Sequence, residues 1–242
     1  MVASGGLFNS NLSVQQFLSC FDKEGCDGGS PEELCLWMAK NGKKVELARN
    51  NKYVQETGGY VETTCPVELE GALVGILPNA VFSIVEYIEE TGYDQNILTQ
   101  NIANMKRALL ETGPFYCAMT VYDDLFTFTG TTVYTKNKNA SIIGGHAIEV
   151  IGYCNKGVDP REDFKDHGYW ICKNSWGKQW PTDTAVGGYF TIRMGKNECG
   201  IESRCGFATP ELFARFPASK KPKSISELRF TDINRYLVVD SK

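Results

Sequence analysis

Gly144-Gly145-His146-Ala147-Ile148 and Tyr169-Trp170-Ile171-Cys172-Lys173-Asn174-Ser175-Trp176-Gly177 are the two stretches around which the chain is organised. The first sets an imidazole behind two glycines and ahead of apolar residues. The second sets a carboxamide, Asn174, among tryptophans. A histidine oriented by a side-chain amide makes two parts of a nucleophilic apparatus, and the third part is a thiol or a hydroxyl. Both stretches adjoin β-rich runs, 147–153 and 169–173. Runs of similar character at 115–121, 131–135 and 188–194 complete a set of five expected strands.

Toward the N-terminus the pattern changes from strand to helix and loop. The run 101–111 places Ile102, Met105, Leu109 and Leu110 on one side and stops at Thr112-Gly113-Pro114. The stretch 81–91 is apolar and β-branched and reads as strand or helix. Residues 43–80 have weak periodicity and many turn residues, which reads as long loops. Ser30 is a fitting N-cap for a helix with Pro31 first and Glu32 and Glu33 in its opening turn. That helix is expected to bury Leu34, Trp37 and Met38 and to end at Asn41-Gly42. Before it, Gly25-Cys26-Asp27-Gly28-Gly29 calls for special backbone angles or close approach of another chain. A short helix is expected over 13–18. The whole is therefore an α+β chain of two lobes: a helix-and-loop part over 1–111, an antiparallel sheet over 112–208, and a polar extension over 209–242 containing Lys220-Lys221-Pro222-Lys223.

The chain has 242 residues, 42% of them hydrophobic, and a net charge of −4 with no basic stripe, which argues against nucleic acid as a partner. No apolar run reaches membrane-spanning length, so no membrane association is expected. Met1-Val2-Ala3-Ser4-Gly5-Gly6 lacks the charged and apolar regions of a signal peptide. Nine cysteines suit an oxidising compartment, and their odd number leaves at least one without an intramolecular partner. No Cys-x-x-Cys or His-x-x-x-His spacing occurs, so neither a metal site nor another cofactor is expected. Only His146 and His167 could supply an imidazole, and His167 lies in a charged loop that suits a solvated surface residue.

Several motifs in register resemble the papain family of cysteine proteases, in its cathepsin B-like branch. They are Leu12-Ser13-x-Gln15-Gln16-x-Leu18-x-Cys20, Gly25-Cys26-Asp27-Gly28-Gly29, Gly113-Pro114, Tyr122-x-Asp124 and Gly145-His146-Ala147. Asn174-Ser175-Trp176-Gly177-x-x-Trp180, Gly188-Tyr189-Phe190 and Cys199-Gly200-Ile201-Glu202-Ser203 follow in the same order. The resemblance implies a papain-like two-lobe fold, with a helical left lobe, here truncated, and an antiparallel β right lobe. It implies a cysteine endopeptidase with His146 as the catalytic base, Asn174 as its orienter and Trp176 as the shield of their hydrogen bond. It also implies that Cys20 pairs with Cys65.

The family's nucleophile lies in a Cys-Gly-Ser-Cys-Trp segment, and no such segment occurs among these residues. Spacing alone nominates Cys20, 126 residues ahead of His146 (146 − 20) and close to the family's separation of roughly 130–150, but its context matches a half-cystine. Cys172 reads as a strand-interior residue. The expectation is an enzyme whose nucleophile segment is missing from this chain, leaving it inactive as it stands. The alternative is a catalytically inactive homologue that binds peptides or inhibitors.

On the substrate side, the resemblance implies that Gly28 and Gly29 align a peptide backbone as an added strand. It places Arg204 where the branch carries an acidic residue in its main specificity pocket, which implies a preference for acidic or neutral side chains. Residues 27–145 contain no histidine, so the histidine-bearing loop that captures a substrate's C-terminus is not expected, and endopeptidase action is. Expected partners are protein or peptide substrates and cystatin-type inhibitors, and the implied location is lysosomal, vacuolar or secreted.

Overall fold

The computed structural model describes residues 11–21, 28–54, 64–65, 72–155, 168–182 and 187–214. His167, Cys26 and the extension beyond residue 214 lie outside the described residues. The chain divides into two compact units, Met1–Val81 together with Ala208–Lys242, and Phe82–Phe207.

In the first unit, Leu12 bridges Leu47, and Ser13 caps helix α1 (Val14–Cys20) by accepting the amide of Gln16 at 3.0 Å. Gln16 then works at a distance. Its Nε2 donates to the Lys44 carbonyl at 2.8 Å, and its Oε1 accepts the Glu46 amide at 2.9 Å. A buried carboxamide satisfied on both sides ties the helix to the chain around residues 44–46. Cys20 and Cys65 form a disulfide, the pairing that the family resemblance implies. Helix α2 (Pro31–Asn41) starts at the Ser30 cap and ends where Gly42 adopts φ 58°. Met38 is buried, while Leu34 and Trp37 are only half-buried. Strand β1 (Val45–Glu46) pairs antiparallel with β2 (Ala72–Ser83), which occupies part of the stretch read from sequence as loop.

In the second unit, the residues after β2 up to Tyr93 form no regular helix or strand. Helix α3 (Gln95–Glu111) then begins six residues before the run expected from sequence, because the Asp94 carboxylate caps it by accepting the Asn96 amide at 2.7 Å. Its buried face is Leu98, Asn101, Met105 and Ala108, and Leu110 points to solvent at 76% exposure. The helix stops where Gly113 takes φ 99° ahead of Pro114.

Five strands follow: β3 (Phe115–Tyr122), β4 (Ile142–Cys154), β5 (Tyr169–Lys173), β6 (Tyr189–Arg193) and β7 (Cys205–Ala214). The order across the second unit's sheet is β7-β3-β4-β5-β6, with every registered pair antiparallel. Residues 131–135 contribute only a bridge from Tyr134 to Ile192. Cys117, Ile148, Val150, Trp170, Cys172 and Ile192 project from the strands into one buried core. The α+β architecture expected from the residue patterns, helix and loop first and antiparallel sheet after, is the one observed.

Candidate active site

Strand register brings the two opening stretches together. Glu149 on β4 faces Lys173 on β5, and Asn174 follows one step later, beside the part of β4 that holds His146. His146, Ile148 and Val150 share one face of β4, and Trp170, Cys172 and Asn174 share the matching face of β5. Ile148, Val150, Trp170 and Cys172 are core residues. The histidine and the asparagine therefore continue the core face to the point where it opens, with His146 half-buried and Asn174 8% exposed.

His146 Nε2 lies 2.8 Å from Asn174 Oδ1. The same oxygen accepts the Ser175 amide at 2.8 Å. An amide N–H needs an acceptor, so the oxygen rather than the nitrogen of the carboxamide must sit at this point. Nε2 must then donate, which gives the neutral ring its proton on Nε2 and leaves the Nδ1 lone pair unprotonated. The arrangement can present Nδ1 as a proton acceptor with the ring held by a fixed neighbour. Asn174 Nδ2 is buried and has no hydrogen-bond partner among the described residues.

Aromatic rings cover this pair. Trp176 lies 5.0 Å from the imidazole and stacks on Phe126 at 4.9 Å with an interplanar angle of 14°. Trp180 meets Trp176 edge-on at 5.0 Å and donates its indole N–H to the Leu125 carbonyl at 3.1 Å. Phe126 is the site residue that the sequence reading missed. It belongs to a short 3-10 turn (Asp123–Thr127) whose contact with Trp176 spans fifty residues of chain. The turn is fixed locally: Asp123 accepts the Ser141 amide at 3.1 Å, and Asp124 accepts the Tyr134 hydroxyl and the Asn137 amide, each at 2.7 Å.

Arg204 lies in the same unit, on the chain leading into β7. Its carbonyl accepts the Ala118 amide at 2.9 Å, and Ala118 faces Ala147 on β4. Arg204 thus stands about two strand spacings, roughly 10 Å, from the residue after His146. The side chain is exposed, with its guanidinium 4.9 Å from the centre of the Tyr87 ring. Gly28 and Gly29 belong to the first unit. Gly28 has φ 114°, and a Cβ at either glycine would meet nothing within 4 Å among the described residues.

Within the second unit, no described cysteine completes the site. Cys117 and Cys205 are joined in a disulfide, as are Cys20 and Cys65. Cys172 and Cys199 are fully buried; burial pushes both thiols far above their ordinary value, with Glu198 adding to the effect at Cys199. Cys154 ends β4, eight residues beyond His146, which is roughly 26 Å along a strand. Cys35 lies on α2 in the first unit, where burial and Glu32 raise its pKa. Among the described residues no group of three or more His, Cys, Asp and Glu side chains could hold a metal ion. No helix there is long and apolar enough to cross a membrane.

Comparison with known proteins agrees with this geometry. The family model for papain family cysteine proteases matches residues 2–209. The chain is 29% identical over 239 residues to cathepsin B-like cysteine proteinase 5 of Caenorhabditis elegans, covering 87% of this chain and 63% of the relative. It is 43% identical over 194 residues to cathepsin B-like CP3 of Giardia intestinalis, covering 79% and 56%. Among solved structures, procathepsin B S9 from Trypanosoma congolense superposes with a TM-score of 0.64 at 24% identity, covering 86% of this chain and 63% of that one. The chain thus spans less than two thirds of the length of these relatives. With its family match over most of its length and the two-part fold expected of such proteins, the chain belongs to the papain family of cysteine proteases, hydrolases that act on proteins.

Proposed function

We propose that this chain forms the histidine–asparagine part of a cathepsin B-like cysteine endopeptidase site. The observation that carries the reading is the His146–Asn174 hydrogen bond, with Ser175 fixing the amide and so the free ring nitrogen. In this reading Nδ1 of His146 takes a thiol proton, the resulting thiolate attacks a peptide carbonyl, and the imidazolium returns the proton to the leaving amine. Asn174 keeps the ring in place during both transfers, and Trp176 keeps water from their hydrogen bond.

In this reading the thiolate comes from outside the described residues of the second unit, where every cysteine is disulfide-bonded, deeply buried or far along β4 from His146. That same observation favours the second reading, a non-catalytic homologue that binds peptides or cystatin-type inhibitors. The two readings part in one experiment. The family's Cys-Gly-Ser-Cys-Trp segment is joined ahead of Met1, and hydrolysis of fluorogenic peptides is measured with and without His146→Ala. Histidine-dependent hydrolysis supports the endopeptidase, and peptide binding without hydrolysis supports the homologue.

On the substrate side, Arg204, Ala118 and Ala147 form a row across the sheet, on the face opposite the His146 side chain and one residue from it along β4. Two small side chains leave room next to an exposed guanidinium, and the Tyr87 ring borders it. This supports a subsite for an acidic or neutral side chain. The absence of side chains at Gly28 and Gly29, with no described residue within 4 Å of a Cβ there, supports a role in pairing with a substrate backbone. The disulfides support an oxidising compartment, lysosomal, vacuolar or secreted.

A further inference from the structure

We propose that the Cys117–Cys205 disulfide and the buried Asn101 carboxamide are positioning devices that hold Arg204 and Tyr87 in register as one specificity surface. This rests on the reading of Arg204 as substrate-facing. Arg204 sits just before β7, and the registered ladder joining β7 to β3 consists of Tyr116 with Gly206 and Cys117 with Cys205. By comparison, β3 and β4 are registered along the whole of β3, from Phe115 to Tyr122. So short a ladder at the end of a strand frays readily, and an exposed arginine at its edge would sample many positions.

The disulfide sits in that short ladder. Cys117 is 0% and Cys205 3% exposed, which keeps thiol reductants from the bond in the folded protein. On either side of the bond the backbone is held. The Arg204 carbonyl accepts the Ala118 amide at 2.9 Å, and the Cys205 carbonyl accepts the Ile84 amide at 2.9 Å. Gly206 fits closely against the Tyr116 hydroxyl and the Phe82 carbonyl, where a Cβ would collide with both. The covalent bond thus reaches Arg204 directly, and it reaches Tyr87 through Ile84, three residues earlier in the chain.

Asn101 closes the other side. At 1% exposure its Oδ1 accepts the Glu86 amide at 2.9 Å, while its Nδ2 donates to the Glu86 carbonyl at 2.7 Å and the Glu202 carbonyl at 2.9 Å. One side chain on α3 therefore ties the residue before Tyr87 to the residue two before Arg204. The guanidinium-to-ring distance of 4.9 Å is set by these two ties, with the arginine and the tyrosine both exposed.

The test combines amide hydrogen exchange with peptide binding on the whole chain, using Cys117→Ala/Cys205→Ala, the space-filling Cys117→Val/Cys205→Val, Asn101→Ala and Arg204→Ala. The binding probes are two fluorescein-labelled pentapeptides differing only by Glu or Arg at one position, read by anisotropy. We expect the cysteine variants to lose about tenfold or more of the protection at Ile84 and Ala118 while β4–β5 amides keep theirs. We expect the Glu-over-Arg binding ratio to fall toward that of Arg204→Ala in both cysteine variants and in Asn101→Ala. Unchanged protection, or an unchanged ratio in variants that have lost protection, overturns the proposal. Failure of both cysteine pairs to fold also overturns it, in favour of a global structural role. A ratio unaffected by Arg204→Ala refutes the substrate-facing reading alone, because exchange at Ile84 and Ala118 still judges the positioning.

Discussion

His146 Nε2 and Asn174 Oδ1 lie 2.8 Å apart, and the Ser175 amide holds the same oxygen from the other side. The ring's protonation pattern is thereby set by a backbone amide one residue from the asparagine. In nitrogen-15 NMR of neutral His146, the proton is expected on Nε2. Asn174→Ala should give a mixture of tautomers and, in an active form of the enzyme, lower kcat by about 100-fold, the scale of loss for a misplaced reacting group. A ring protonated at Nδ1 in the unsubstituted protein would contradict the assignment.

Trp176 touches His146, Phe126 and Trp180. Each aromatic contact contributes about 0.5–1.5 kcal/mol, so Trp176→Ala is expected to destabilise the second unit by about 2–3 kcal/mol. Denaturant titration gives the number. Phe126→Ala removes one of the three contacts and should cost less.

Glu202 is fully buried and accepts hydrogen bonds from Trp170 Nε1, the Gly195 amide and the Asn197 amide. Burial raises its carboxyl above the ordinary glutamate value, opposed by these donors. A raised carboxyl means that the folded state binds more protons than the unfolded chain in the window between the two pKa values. Stability is then highest below the unfolded value and falls as pH rises through the folded one. Unfolding measured across that window should show this decline, and Glu202→Gln, which has no carboxyl proton to lose, should flatten it.

Thiol labelling separates the cysteines by environment. Native protein treated with dithiothreitol and then iodoacetamide is expected to label half-buried Cys154, and to leave Cys172, Cys199 and the Cys117–Cys205 pair unlabelled until the second unit unfolds. Peptide mapping reads the pattern. Rapid labelling of Cys117 in folded protein would contradict the buried disulfide.

Arg204→Glu is expected to reverse side-chain preference at the adjoining subsite. The effect should be about fivefold, the upper range for an exposed ion pair, and should shrink with added salt. Paired peptides with Glu or Arg at that position, compared by binding or by kcat/KM, give the ratio.

The helix at Ser30-Pro31 was legible because its cap, first residue and terminating glycine are all local signals. The His146 and Asn174 stretches were legible for a similar reason: both adjoin clear strands, and both occur within a family's motifs. Strand β2 was not legible, because Gly75, Pro78 and Asn79, the last at φ 58°, break the alternation within it. Alternation at 131–135 misled in the other direction, since only Tyr134 finds a strand to bridge. Leu110 was placed on the wrong side of its helix because the helix begins at Gln95, so that Leu98, Asn101 and Met105 define the buried face. Phe126, Tyr87 and Asn101 carried no sequence signal, since their partners lie far along the chain. The Cys117–Cys205 pairing carried no local signal either, since it is strand register that sets the two side by side.

The central claim is that His146, held by Asn174, serves a thiolate in peptide-bond hydrolysis. It is tested most directly by joining the Cys-Gly-Ser-Cys-Trp segment ahead of Met1 and measuring hydrolysis of a fluorogenic peptide. The account predicts hydrolysis that is abolished by His146→Ala and strongly reduced by Asn174→Ala. A folded protein carrying the segment that binds the peptide and does not cleave it, or that cleaves equally well without His146, would contradict the account.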